Sequence, residues 1–176
     1  GVNLVAYEPA QNRMTRLTFF QSILVVPPVW TRDGKHIVFH LLSSELSGPG
    51  IYWMRSDGAG SAQQLVAGQN IDAYSFSPDG KRLAYSGLSG ADFGIWTLPL
   101  DLADIEHPKP GKPELFLGSK SPLLGPAFSP DGRWIAYNIG GNASGEIFVR
   151  PFPGPGGQWQ VSNMGGAMSV WSRDSR

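Results

Sequence analysis

The feature that most constrains this chain is a short sequence pattern that recurs along it. Its clearest copy is PAFSPDGRWIAY (Pro126 to Tyr137), and earlier copies read AYSFSPDGKRLAY (Ala73 to Tyr85) and PPVWTRDGKHIVF (Pro27 to Phe39). A last, shorter version is SVWSRDSR (Ser169 to Arg176). The aspartates of the four copies are 46, 52 and 43 residues apart. A chain that repeats at this period is built from copies of one supersecondary unit.

Each copy places a turn signal between two predicted strands. An aromatic residue is followed by Ser or Thr, then by Pro-Asp-Gly or Arg-Asp-Gly, and in the last copy by Arg-Asp-Ser. Proline fixes φ, aspartate hydrogen-bonds to the backbone, and glycine accepts a positive φ, so the pattern predicts a tight antiparallel connection. Because the aspartates repeat at one turn position, we assign them to structure rather than to chemistry. The predicted turn residues are Asp33, Gly34, Asp79, Gly80, Asp131, Gly132 and Asp174.

The residues after each turn predict a four-stranded antiparallel unit. Apolar runs such as Ile135-Ala136-Tyr137 are continuous, which is typical of strands buried on both faces. A loop rich in Gly and Ser, a third strand and a shorter fourth strand complete each unit. One such sheet cannot bury both faces alone and must stack on its own copies. At roughly 45 residues per unit, the predicted fold class is all-β, a partial-ring β-propeller of four-stranded blades.

We predict that the chain forms one partial propeller domain over residues 1–176. The predicted pieces are a half blade at 1–22, whole blades at 27–66, 73–117 and 126–162, and a partial blade at 168–176. The two end pieces do not add up to a complete blade, because its second strand is absent. We therefore expect a fragment of a larger ring, with open strand edges through which copies can self-associate.

Charge and composition exclude several classes of function. Fourteen basic and fourteen acidic residues give a net charge of zero, which offers no long-range attraction to nucleic acid or to an anionic membrane. We therefore predict no nucleic-acid binding. We also predict no membrane insertion, because no apolar run approaches the roughly 18 residues of a membrane span. The absence of cysteine excludes disulfides and thiolate zinc sites and leaves the compartment open.

The sequence contains no recognisable catalytic constellation. His36, His40 and His107 are the only histidines, and no third ligand at a metal-site spacing accompanies the first two. No G-x-S-x-G pattern occurs, and the serine-containing loops have no paired base. We therefore predict no enzyme activity, no metal site and no cofactor.

One connection is unusually long. Asp101 to Pro113, DLADIEHPKPGKP, joins the third and fourth strands of the second whole blade and accounts for the longer repeat there. Its three prolines favour an extended backbone without strand pairing. The sequence therefore predicts an unpaired surface excursion at this point.

The repeat pattern S-P-D-G-[KR]-x-[IL]-A-Y, present as SPDGKRLAY and SPDGRWIAY and more loosely as TRDGKHIVF, resembles the TolB-type WD40-like β-propeller repeat. The resemblance runs from Pro27 to Arg176, with departures at Arg32, Arg173 and Ser175. From GEIFVRPF onwards the sequence is most similar to the C-terminal propeller of bacterial eukaryote-like serine/threonine kinases. These families imply a bacterial scaffold from a ring of roughly six to eight blades. They also imply an extracytoplasmic location such as the periplasm, and a protein or small-ligand partner at one face.

Propeller geometry gathers the loops that follow the second and fourth strands of each blade at one face. These loops differ between the copies while the framework does not, and variable loops on a rigid scaffold are where binding usually occurs. The residues predicted to bind a ligand or partner are His40, Asn70, Asp72, Asp92 and Asn142.

Three functions remain open at this point. The first is a non-catalytic module for protein or ligand binding, derived from a bacterial sensor kinase or a TolB-like protein. The second is the substrate-gating propeller of a peptidase or other hydrolase whose catalytic domain is absent. The third is a self-assembling fragment whose partner is its own copy. An adjacent kinase domain in the parent protein would support the first function, and an adjacent hydrolase domain would support the second. A mass in solution that rises with protein concentration would identify the third.

Overall fold

The computed structural model describes residues 2–20, 28–43, 46–141 and 144–174. Within these ranges the regular structure is β-strand, apart from one 3-10 turn at Pro9–Gln11, and no helix there is long and apolar enough to cross a membrane. The strands are β1 (Val5–Glu8), β2 (Arg13–Arg16), β3 (Val29–Trp30), β4 (His36–Leu41), β5 (Gly50–Arg55), β6 (Gln63–Ala67), β7 (Asp72–Phe76), β8 (Arg82–Ser89), β9 (Asp92–Asp101), β10 (Lys109–Pro110), β11 (Glu114–Ser119), β12 (Leu123–Phe128), β13 (Trp134–Ile139), β14 (Glu146–Pro151) and β15 (Trp159–Gln160).

The strands pair mainly with their neighbours in sequence. After the hairpin β1–β2, one sheet has the order β3-β4-β5-β6 and another the order β12-β13-β14-β15. The sheet between them in sequence contains β7-β8-β9, and both β10 and β11 pair with β9. Each repeat is therefore an antiparallel meander, which confirms the all-β fold class of four-stranded blades.

The repeated turn has the same geometry in three copies. At the turn between β7 and β8, the Ser77 hydroxyl donates to Oδ1 of Asp79 at 2.6 Å, and the amide two residues after Asp79 donates to the same oxygen at 3.1 Å. The glycine that follows Asp79 has φ of +71°. Matching bonds occur at Asp33 and at Asp131. At the fourth copy, the Ser172 hydroxyl donates to Asp174.

The chain forms two compact units. The first comprises Gly1–Ala73 with Leu102–Lys109, and the second comprises Tyr74–Asp101 with Pro110–Arg176. The boundary passes through β7 and β10. Each unit has its own hydrophobic cluster. The assignment of residues 1–176 to one domain stays a prediction.

In the first unit, β4 is buried along its whole length. Its alternate residues Ile37, Phe39 and Leu41 pack with Leu17, which follows the N-terminal hairpin, and with residues of β5. The intervening residues of β4, which include His36 and His40, lie on the opposite face of the sheet, because successive side chains of a strand point to opposite sides. The continuous apolar run thus predicted burial on both faces correctly.

In the second unit, two sheets share one core. Buried residues of β8 and β9, such as Ile95, pack with residues of β12 and β13 such as Ile135 and Tyr137. The Ser75 hydroxyl joins the two sheets by donating to the carbonyl of Pro126 at 2.9 Å and accepting from the amide of Phe128 at 3.0 Å. This is the stacking of one repeat on the next that the sequence pattern requires.

The prediction of an unpaired connection at Asp101 to Pro113 is wrong at Asp101 and at Lys109–Pro110, whereas residues 102–108 form no strand. The strand β9 continues to Asp101, and β10 (Lys109–Pro110) pairs with it. The Gly111 amide donates to the carbonyl of Pro99 at 2.8 Å. A proline lacks an N–H, but an edge strand tolerates it because neighbouring residues still supply donors.

The predicted partial blade at 168–176 is described as far as residue 174. Its turn bond to Asp174 is present, and the indole N–H of Trp171 donates to the carbonyl of Ala127 at 2.9 Å. Residues 168–174 form no strand.

Replacing Asp79 with alanine tests the structural role of the repeated turn. The change removes the acceptor of two hydrogen bonds, so we expect the free energy of unfolding to fall by about 1–2 kcal/mol. Urea denaturation measures the loss. The matched control is Asp79→Asn, which keeps a side-chain oxygen and should lose less. Equal losses in the two variants would contradict this account of the turn.

The turn at Asp131 predicts a pH dependence of stability. The hydrogen bond from Ser129, together with bonds from Arg133, lowers the pKa of Asp131 from 3.8 to about 2. Because the folded pKa lies below the unfolded one, the carboxylate stabilises the fold fully above the unfolded value, and this contribution disappears as pH falls from about 4 towards 2. In Asp131→Asn the side chain cannot titrate, so the urea midpoint should fall less across this window than in the wild type. Parallel pH profiles would exclude the linkage.

Candidate functional site

Two of the five predicted binding residues lie in contact. His40 is near the end of β4, Asp72 begins β7, and Nδ1 of His40 lies 3.1 Å from Oδ1 of Asp72. An ionised carboxylate only accepts hydrogen bonds, so we assign the imidazole proton to Nδ1. The His40 side chain is buried, and its Nε2 has no hydrogen-bond partner among the described residues. The pair ties the start of β7 to β4.

The structure shows no contact between this pair and the other three predicted residues within the ranges it describes. Asp92 belongs to the second unit, where it accepts a hydrogen bond from the Lys120 ammonium at 2.8 Å. Asn70 is exposed on the connection between β6 and β7. Asn142 lies outside the described residues. Of the five, the structure joins only His40 with Asp72 in the ranges it describes.

The opposite end of β4 forms a wall of a cavity in the first unit, with a volume of about 1060 Å³. Three segments enclose it. They are the adjoining ends of β4 and β5, the connection between β5 and β6, and the segment 102–109 of the long proline-rich connection. Such a volume is sufficient for a small molecule or a side chain. The lining residues that carry the argument are His36, Trp53, Arg55, Ser61, Gln63 and Glu106.

A cluster of charged side chains lies at this cavity. Arg55 donates from Nη1 to Oε1 of Glu106 at 3.0 Å and from Nε to Oδ1 of Asp57 at 3.0 Å. A second bond joins the same guanidinium to the other Asp57 oxygen. The hydrogen bonds from Arg55 hold the pKa of Asp57 well below its usual value, so this carboxylate is ionised at neutral pH. Two carboxylates thus share one guanidinium, and the formal charges of Arg55, Asp57 and Glu106 sum to −1.

Side-chain hydrogen bonds join the segment 102–109 to the rest of the first unit. One is the bond between Arg55 and Glu106, and another is donated by Nε2 of Gln63 to the carbonyl of Pro108 at 2.7 Å. The connection predicted as a surface excursion therefore supplies a wall of this cavity. Its proline-rich backbone presents Glu106 beside residues about fifty positions earlier in the chain.

His36 is the most unusual side chain of the cavity. Its ring stacks on Trp53 with centroids 4.9 Å apart and an interplanar angle of 23°. The side chain is 3% exposed, and neither ring nitrogen has a hydrogen-bond partner among the described residues. The nearest charged group is Glu106, whose Oε1 lies 3.6 Å from Nε2. A buried polar group without a partner costs about 1–3 kcal/mol, so His36 is in an unfavourable environment.

Sequence reasoning did not find this cavity, because it placed binding at the loops after the second and fourth strands. The cavity lies at the other end of the blade, beside the repeated turn and the connection between the third and fourth strands. Two signals point to it. His36 occupies a repeat position that holds Arg82 and Trp134 in the other copies, and the inserted segment contains both an acidic residue and a histidine, Glu106 and His107.

The described residues contain no group of three or more His, Cys, Asp or Glu side chains arranged to hold a metal ion. The two histidines of β4 are each beside a carboxylate, His40 beside Asp72 and His36 beside Glu106. A pair of this kind orients an imidazole and balances its charge.

Comparison of the sequence with protein-family models and with curated proteins finds no match. Solved structures with a similar fold exist. TolB from Acinetobacter baumannii matches with a TM-score of 0.70 at 19% identity, over 98% of this chain and 41% of that one. The gluconolactonase XC5397 from Xanthomonas campestris matches with a TM-score of 0.66 at 16% identity, over 96% and 58%. A prolyl endopeptidase matches with a TM-score of 0.62 at 14% identity, over 93% and 26%.

At these identities the likeness shows the fold alone, which is that of part of a β-propeller. The chain spans less than two thirds of the length of each of these structures. Their names include a TolB protein and enzymes, so the fold is shared by different functions. The resemblance to TolB-type propellers is supported, whereas the greater similarity to kinase-linked propellers stays a prediction.

The buried pair His40 and Asp72 allows a test of its contribution to stability. Asp72→Ala leaves the buried imidazole without its partner, so we expect the free energy of unfolding to fall by roughly 1–3 kcal/mol. His40→Phe with Asp72→Ala removes both polar groups and should recover part of that loss. Urea denaturation of the wild type, both single variants and the double variant gives the coupling. Purely additive effects would show that the pair does not act as a unit.

Proposed function

We propose that this chain is a non-catalytic β-propeller module that binds a small ligand or a protein segment, and that the cavity beside His36 is its binding site. The observation that carries the proposal is the buried imidazole of His36, which lines the cavity without a hydrogen-bond partner among the described residues. A bound molecule that supplies this partner would remove the cost of its burial.

The surroundings of the cavity support a binding role. Its walls stand on β4 and β5, which are buried almost throughout, so the side chains at their ends are held by a rigid sheet. The third wall is a segment held by side-chain contacts from Arg55 and Gln63. Polar groups placed on rigid strands, with a longer segment covering them, form a preorganised site.

The similarity to TolB supports a β-propeller scaffold and does not identify the parent protein. We propose a TolB-like or kinase-linked binding module as the source. The likeness to a prolyl endopeptidase favours a second candidate, the substrate-gating propeller of a peptidase. In both cases this chain contributes recognition rather than bond cleavage. Self-association through strand edges is a further proposal, so binding is measured at concentrations where light scattering gives the 19.0 kDa monomer.

Filling the cavity tests the proposed site. The probes are n-butylguanidinium, n-butylurea and pentanoate, and the readout is the saturable shift of the backbone amide signals of residues 59–62 in ¹H–¹⁵N NMR spectra. We expect at least one probe to bind. Ser61→Trp, which adds a large side chain to the lining, should weaken that binding roughly tenfold or more.

The matched control is Asn70→Trp, which places the same side chain at the other end of the first unit's sheet, on an exposed connection. We expect it to leave probe affinity unchanged. If Asn70→Trp abolished binding and Ser61→Trp did not, the site would be the loop face that contains Asn70 and Asp72. If no probe gave a saturable shift, the cavity would not be a binding site.

A further inference from the structure

The charged side chains around the cavity carry more negative than positive charge. The Arg55 guanidinium is already shared between Glu106 and Asp57, so it is not available to pair with a bound anion. Asp33 and Lys35, which line an adjoining smaller hollow of about 540 Å³, cancel each other's charge. A further carboxylate, Asp104, lies on the segment that carries Glu106. One added positive charge would balance the cluster of Arg55, Asp57 and Glu106.

The open hydrogen-bonding positions of the lining are mainly acceptors. The hydrogen bond from Arg55 to Glu106 involves Oε1, and His36 also lies nearest to Oε1, which leaves Oε2 without a partner in the described part of the chain. The amide nitrogen of Gln63 donates to Pro108, and the amide oxygen of Gln63 remains open. A ligand that fits these positions must carry several donors.

We infer that the cavity binds a guanidinium group, carried either by a small molecule or by an arginine side chain of a peptide. The inference rests on the proposed function and names the chemical class of its ligand. A guanidinium is planar, permanently charged and has five N–H donors, so it can reach the carboxylate of Glu106 and neighbouring acceptors together. An ammonium group is more strongly hydrated and reaches fewer acceptors in fixed directions. An anionic ligand would be repelled by the carboxylate of Glu106.

The matched probes n-butylguanidinium and n-butylurea test the inference, because they differ in charge but little in shape. We expect the guanidinium to bind roughly tenfold more tightly than the urea, which is the effect of one charge-assisted hydrogen bond, and pentanoate to bind more weakly than either. The readout is the same set of amide shifts at residues 59–62. A capped Gly-Arg-Gly peptide, compared with the same peptide containing citrulline, shows whether the cavity accepts the group from a peptide or only from a small molecule.

Two variants on the same segment separate the site from the overall charge. Glu106→Gln should lower the affinity for n-butylguanidinium to about that for n-butylurea, because the partner carboxylate is lost. Asp104 does not line the cavity, but it accepts a hydrogen bond from the amide of Glu106 through Oδ1 and contacts His107 through Oδ2. Asp104→Asn removes the same charge and keeps an oxygen that can accept from the Glu106 amide, so it should retain the preference. A melting curve checks that each variant is folded. Raising the salt concentration provides a test on the wild type itself, since screening weakens guanidinium binding and leaves urea binding unchanged.

The outcomes distinguish this inference from the proposed function. Binding of n-butylurea or pentanoate as tight as that of n-butylguanidinium overturns the guanidinium class and leaves the cavity as a binding site. An unchanged preference in Glu106→Gln, or salt-independent guanidinium binding in the wild type, also overturns it. A complete lack of saturable binding by all probes overturns the inference and the proposed function together.

Discussion

The register of β4 against its neighbours determines which side chains reach the cavity. The period of a strand is two residues, so a slip by one position would exchange its faces and turn Ile37 and Phe39 away from Leu17. The turn at Asp33 limits this slip, because its carboxylate and the Thr31 hydroxyl fix the residues just before β4. The hydrogen bonds of a surface turn therefore position His36 as well as the hydrophobic core on the other face.

The two histidines of β4 show what this placement produces. They are four residues apart, or about 13 Å along a strand, and lie on one face of the sheet. His40 has a carboxylate at hydrogen-bond distance and serves as a tie to β7. His36 has a carboxylate at 3.6 Å, an aromatic ring against its face and a cavity beside it. Each end of β4 thus has a histidine beside a carboxylate. The pair at His40 is a structural hydrogen bond, whereas the pair at His36 lines a cavity.

The parts of this fold that local chemistry determines could be predicted from the sequence. The turn at Asp79, the buried runs such as Ile135 to Tyr137 and the order of strands in each meander follow from short patterns. The cavity could not be predicted in the same way, because Glu106 lies 51 residues after Arg55 and its position depends on how an insertion folds back. The proline content of that insertion misled the prediction, since an edge strand needs few donors and accepts Lys109–Pro110 beside β9.

The balance of charge in the whole chain bears on how such a site can act. Equal numbers of basic and acidic residues provide no long-range field that would draw a cation from solution. Attraction must therefore arise from the cluster of Arg55, Asp57 and Glu106, and at physiological salt it extends only about 8 Å. A ligand that carries a single positive charge therefore gains only modest affinity from its attraction to this cluster. Tight association then requires further contacts next to the cavity, which a peptide can make along the exposed connection between β5 and β6 and a small ion cannot.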